Sequence, residues 1–138
     1  MIIDQGIFLE YYLDDTYATE CETIIEDLTT GDIEGYLTDF HLHGVCTIFN
    51  TYFQESAPDE IQDFVYSVAA AEGLELYRLS LGDKINICEW QRDSAFDFDD
   101  ATLVYVADIL EDETIVSIDE HLDRDGDISF ERLHPRDY

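Results

Sequence analysis

Two apolar runs in this chain stop on an aspartate: Met1-Ile2-Ile3 leads into Asp4, and Ile115-Val116-Ser117-Ile118 leads into Asp119. A third aspartate, Asp100, stands directly before Ala101-Thr102-Leu103, where a long apolar segment begins. Carboxylate oxygens are the ligands that hard divalent cations take. With 34 Asp and Glu in the chain, however, most acids need no explanation beyond a solvated face. Position therefore weighs more than residue type. A surface carboxylate gains nothing from following Met-Ile-Ile or Ile-Val-Ser-Ile, which sets Asp4 and Asp119 apart from the other acids.

The elements that must carry these residues follow from periodicity and from the breaks. Met1 to Asp4 reads as a short buried strand, and Ile7 to Leu13 begins a helix. Ala18, Cys21, Ile24, Ile25 and Leu28 recur with a helical period, and Gly31 ends that helix. Glu34 to Thr38 reads as a strand and Phe40 to Phe53 as a helix. Pro58 fits the first turn of a further helix whose face is Ile61, Phe64, Val65 and Val68, with Gly73 as its stop. Leu74 to Leu79 alternates as a strand. Ser80 to Arg92 and Asp97 to Leu110 read as helices, Thr114 to Ile118 as a β-branched strand, and Ile128 to Leu133 as a last strand. Strands alternating with helices predict an α/β fold of one domain over residues 1–138, a central mainly parallel sheet between helical layers. Sites in such sheets lie at the carboxyl ends of the strands, near a topological switch point. Asp4, Asp119 and Asp100 are expected to meet there.

Composition bounds the partners. Six Lys and Arg against 34 acids give a net charge of −28, while 46% of residues are hydrophobic. An acidic disordered tail lacks such apolar content. No run approaches the ~18 apolar residues of a membrane helix, and Asp4 stands where a secretory leader would carry basic residues. The charge disfavours electrostatic binding of nucleic acid through a basic patch. Lys84 is the only lysine, and Asp outnumbers Glu by 20 to 14. This pattern reads as adaptation to a salt-saturated cytoplasm such as that of halophilic archaea, where the Debye length falls to about 3 Å and self-repulsion is screened. An acidic inhibitor or nucleic-acid mimic is the competing reading. Cys21, Cys46 and Cys88 form no C-x-x-C pair and read as small buried or half-buried residues of a reduced interior.

Met1-Ile2-Ile3-Asp4, Asp99-Asp100-Ala101-Thr102-Leu103 and Ile115-Val116-Ser117-Ile118-Asp119 together resemble the signature segments of PIN domains, and among these the VapC-type toxin nucleases. The order of the segments matches over the whole chain, as does the spacing of 19 residues from Asp100 to Asp119. The resemblance implies a three-layer α/β/α fold and a Mg²⁺- or Mn²⁺-dependent endoribonuclease acting on structured RNA. It also implies Asp4, Asp100 and Asp119 as metal ligands and catalytic residues, an antitoxin protein as partner, and a homodimer. Three positions depart from the pattern. Gln5 and Gly6 stand where Ser or Thr and then Asn usually follow the first aspartate, and Gly44 stands where a helix glutamate is usual. A chain of this family that has lost catalysis and persists as an interaction module, binding an antitoxin-like partner or a sister chain, is the alternative. His41 shares a helix face with Gly44 and is the candidate substitute ligand, although imidazole suits Mg²⁺ poorly. Otherwise His41 and His43 read as surface or boundary residues.

Two further signals are weak. Asp123-Arg124-Asp125-Gly126-Asp127-Ile128 resembles part of a calcium loop, but with Gly126 at position six the first and twelfth positions are His121 and Arg132. The segment reads as an acidic turn. Asp97 and Asp99 read as helix caps, and Trp90 as a packing residue.

Overall fold

A computed structural model describes residues 1–124 and 130–138. Five parallel strands form one sheet in the order β3-β2-β1-β4-β5. They are β1 (Ile2–Ile3), β2 (Gly35–Thr38), β3 (Leu74–Tyr77), β4 (Thr114–Val116) and β5 (Glu131–Leu133). The helices are α1 (Gln5–Tyr12), α2 (Ala18–Thr30), α3 (Asp39–Tyr52), α4 (Ala57–Ala70), α5 (Leu81–Arg92) and α6 (Phe98–Ile109).

Alternation along each strand divides the core into two layers. Ile2, Tyr36 and Ile115 face one way and pack with Ile87, Leu103 and Val104 of α5 and α6. Ile3, Leu37 and Val116 face the other way and pack with Ile7, Ile24, Val45 and Phe64 of α1 to α4. The result is the expected three-layer α/β/α arrangement.

Local chemistry sets the boundaries. Gly31 ends α2 at φ 79°, in the left-handed region that glycine enters without steric cost. Ser80 and Asp83 close a reciprocal capping box at the start of α5. Asp97 caps α6 by accepting the Asp100 N–H at 2.9 Å, as its placement predicts. The third and fourth strands are shorter than expected. In α4, Val65 faces solvent while Phe64 and Val68 are buried, so its apolar stripe is narrower than expected. Cys88 is exposed on α5, whose inward residue there is Ile87. Most of the calcium-like segment, and the start expected for the last strand at Ile128, lie outside the described residues.

The strand order reverses beside β1. The chain runs outward from β1 through β2 to β3, then returns to place β4 on the other side of β1. The switch point thus lies between the carboxyl ends of β1 and β4, the two strands that lead into Asp4 and Asp119. Among the described residues, no helix is long and apolar enough to cross a membrane.

Candidate metal centre

Asp4, Asp100 and Asp119 line one cleft of about 660 Å³ at that switch point. Each arrives by a different route. Asp4 is the first residue beyond β1 and stands at the N-cap position of α1. Asp119 follows β4 after the turn Ser117-Ile118. Asp100 projects from the first turn of α6, where the Asp97 cap fixes the helix entry.

Ser117 joins the two strand ends. Its hydroxyl donates to Asp4 Oδ2 at 2.6 Å and accepts the Asp119 N–H at 3.0 Å. Asp119 Oδ1 in turn accepts the His121 N–H at 2.8 Å. One buried serine therefore holds the Asp4 carboxylate and the Asp119 backbone together. Sequence reading gave Ser117 no role of its own, although its place between a strand and Asp119 was the available signal.

The electrostatics are those of crowded carboxylates. Burial raises the Asp4 carboxyl above its usual range, and Asp119 adds to the shift. The Ser117 hydroxyl and the facing amides of Gly6 and Gln5 oppose it. Asp100 is pushed up to about 6, first by burial and then by Asp97, Asp119 and Asp4. Six acids line the cleft: Asp4, Asp97, Asp99, Asp100, Asp119 and Glu120. No Lys or Arg lines it among the described residues.

Histidines complete the wall. One ligand atom each from Asp100, Asp119 and His121 lies within 4.8 Å of the others, an arrangement the sequence did not single out. His41 was expected at the surface or boundary, but it is 1% exposed. Thr38, itself wholly buried, caps α3 and accepts the His41 N–H, which pulls the first turn of α3 beneath the cleft. Burial lowers the His41 imidazole to about 4, so the ring is neutral at pH 7. His43, two residues on, points to solvent.

The departures from the family pattern have structural counterparts. A side chain at Gly6 would press at 3.3 Å on both Asp4 Oδ2 and Ile118, so the small residue lets α1 approach the site closely. Gly44 lies beneath the side chain of Gln5. A Cβ added there would collide with Gln5 Oε1, so Gln5 fills the space that a longer residue at 44 would need. Gln5 lines the cleft, whereas Gly44 does not.

No protein-family model matches the chain, and no curated protein matches it in sequence. Among solved structures, it is similar to the Mycobacterium tuberculosis toxin VapC20, which cleaves the sarcin-ricin loop. The TM-score is 0.70 over 91% of this chain and 94% of that one, with 12% sequence identity. The chain thus shares that protein's fold, the three-layer α/β/α arrangement expected of a PIN-like domain. At this identity the likeness extends to the fold alone.

Proposed function

We propose that the chain is a Mg²⁺- or Mn²⁺-dependent endoribonuclease of the VapC type acting on structured RNA, with Asp4, Asp100 and Asp119 as its catalytic metal ligands. The observation that carries this reading is their meeting in one cleft at the switch point of a parallel sheet. The donor set fits a hard cation. Its oxygens are held in place by Ser117 and by backbone N–H groups, and their mutual repulsion is unrelieved by any lining Lys or Arg among the described residues. A divalent ion bound there would supply charge neutralisation and an acidified water. The protein's part is to hold the carboxylates, to raise the proton affinity of Asp100 by burial and crowding, and to anchor the Asp119 backbone through Ser117. An antitoxin that covers the cleft, a homodimeric state and a halophilic archaeal cytoplasm belong to the same reading.

The second reading, an interaction module without catalysis, is favoured by Gly44, which offers no fourth carboxylate, and by Gln5 lying over it. The two separate in an RNA cleavage assay with Mn²⁺ in molar KCl, on wild type, Asp4→Asn and Gly44→Glu. Cleavage by the wild type that disappears in Asp4→Asn supports a three-carboxylate nuclease. An inert wild type rejects it, and gain of metal binding in Gly44→Glu with Gln5 displaced would then identify a lapsed site.

A further inference from the structure

The calcium-loop pattern fails first at His121, an imidazole where an aspartate ligand is wanted. The structure nevertheless brings this residue to the acidic cleft. One ligand atom each from His121, Asp100 and Asp119 lies within 4.8 Å of the other two, and among the described residues no other three His, Cys, Asp or Glu side chains come together in this way. Asp4 stands outside that group, with Oδ2 taken by the Ser117 hydroxyl.

The backbone holds residue 121 in place. Its N–H donates to Asp119 Oδ1 at 2.8 Å, which folds the chain back over the carboxylate. Two residues on, Asp123 is gripped by Arg132 of β5. His121 Nδ1 lies 3.7 Å from Asp119 Oδ1. That is too long for a direct hydrogen bond, which would be near 2.9 Å. It suits two ligands of one ion: at about 2.1 Å from the metal, adjacent ligands are roughly 3 Å apart and opposite ones about 4.2 Å. The His121 side chain is 54% exposed, so the ring is open to an incoming ion.

The other candidates for a further ligand are spent or missing. Gly44 has no side chain to offer. His41, on the same helix, is 1% exposed, bonds through Nδ1 to Thr38, and presents no accessible nitrogen to the cleft. Imidazole suits first-row transition cations, whereas Mg²⁺ takes oxygen ligands and keeps several of its waters. We infer that His121 is a nitrogen ligand of the metal centre beside Asp100 and Asp119, and that it turns the centre's preference from Mg²⁺ to Mn²⁺ and the later first-row cations. This rests on the metal-dependent nuclease reading given above. The ligand that a glutamate at 44 would add from α3 comes instead from the segment after β4.

The test uses the full chain labelled with ¹⁵N at histidine, in molar KCl. Every arm carries Cys88→Ser, which removes the exposed thiol as a rival ligand for Zn²⁺. Titration calorimetry gives the affinities for Mg²⁺, Mn²⁺ and Zn²⁺, and the ring nitrogens are followed with Mg²⁺ and with Zn²⁺. The expected order runs from Mg²⁺, the weakest, through Mn²⁺ to Zn²⁺, and Zn²⁺ shifts one ring nitrogen of His121 to a metal-bound position. His121→Ala is expected to lose about tenfold or more in Zn²⁺ affinity relative to Mg²⁺, since loss of a group that merely supports a ligand already costs that much. Mn²⁺ affinity falls in the same direction by less. His121→Asp, which returns an oxygen ligand, is expected to bind Mg²⁺ at least as tightly as the wild type. A His121 ring that Zn²⁺ leaves unmoved, or a His121→Ala variant with the wild-type ratio of Zn²⁺ to Mg²⁺ affinity, would overturn the inference. The nuclease reading would still stand if Asp119→Asn abolished Mg²⁺ binding. A wild type that binds no divalent ion would remove both. If His121→Ala does not fold, the ring nitrogens of the wild type decide.

Discussion

Burial favours the neutral forms of both Asp100 and His41, and the consequences for stability run in opposite directions. The Asp100 carboxyl is raised from 3.8 to about 6. Between those values the folded chain keeps a proton that the unfolded chain has released, so Asp100 makes stability fall as pH rises. His41 is lowered from 6.5 to about 4. Over that window the unfolded chain holds the proton, so His41 makes stability rise with pH. In the wild type the two slopes oppose each other. Asp100→Asn leaves only the second, and thermal melts in molar KCl with a chelator are expected to show the variant gaining on wild type from pH 4 to 6 and exceeding it at pH 7. Parallel curves would contradict the assignment. At this scale Asp4, Asp100 and Asp119 were legible in the sequence, because a carboxylate closing an apolar run or opening an apolar helix is conspicuous. His41 was legible only as a possible substitute ligand and its burial was not, since Asp39-Phe40-His41-Leu42-His43 reads as an ordinary helix start and only the Thr38 cap turns its ring inward. Ser117 acts across 113 residues of sequence, a distance no local pattern spans.

The segment 120–124 brings His121 to the cleft wall, and its attachment depends on Arg132 of β5. The guanidinium grips Asp123 with two bonds of 2.8 and 2.7 Å, and its third nitrogen donates to the Ser117 carbonyl at 3.2 Å. The ion pair is half open to solvent on the Asp123 side and contributes little stability of its own. Its value is geometric: it ties β5, the 120–124 segment and the Ser117 turn together behind Asp119. Lysine cannot reproduce that planar fork. Arg132→Lys is therefore expected to weaken Mn²⁺ binding about tenfold, as loss of a group supporting metal ligands does, with a smaller change in melting temperature. Calorimetric titration beside a melt measures both; equal loss in each would mean that Arg132 serves folding alone. Arg132 is one of the two residues at which the calcium-loop pattern failed, and the structure gives it this other task. Caps and breaks made most element boundaries readable, as at Ser80-Leu81-Gly82-Asp83 and Gly31. Strand lengths were less so, because β4 stops at Val116 once Ser117 turns to serve Asp4.

Across the whole molecule, charge decides where the fold can exist. A net charge of −28 has few internal partners: among the described residues, Arg132 bridges Asp123 and the chain's amino group bridges Asp112. Screening must do the rest. Lowering KCl from molar to about 0.1 M lengthens the Debye length from about 3 to about 10 Å, and the chain is expected to lose structure over that interval. Circular dichroism at the two salts measures this. Unchanged spectra and melting would remove the halophile reading and revive the acidic-mimic one. The alternation of strands and helices made the layered parallel fold legible. The strand order was not, because periodicity does not say on which side of β1 the fourth strand lands.

That strand order also acts in time. Ile2 and Ile3 pair with Ile115 and Val116, so the first strand made has its β4 neighbour among the last parts of the chain to be synthesised. At translation rates of about 5–20 residues per second, Asp119 follows Asp4 by roughly 6 to 23 s. The half-built protein can assemble α1 to α4 on β1, β2 and β3, but it has only one wall of the cleft. A growing chain thus carries no complete acidic site on the ribosome, an arrangement suited to a protein whose proposed target is structured RNA.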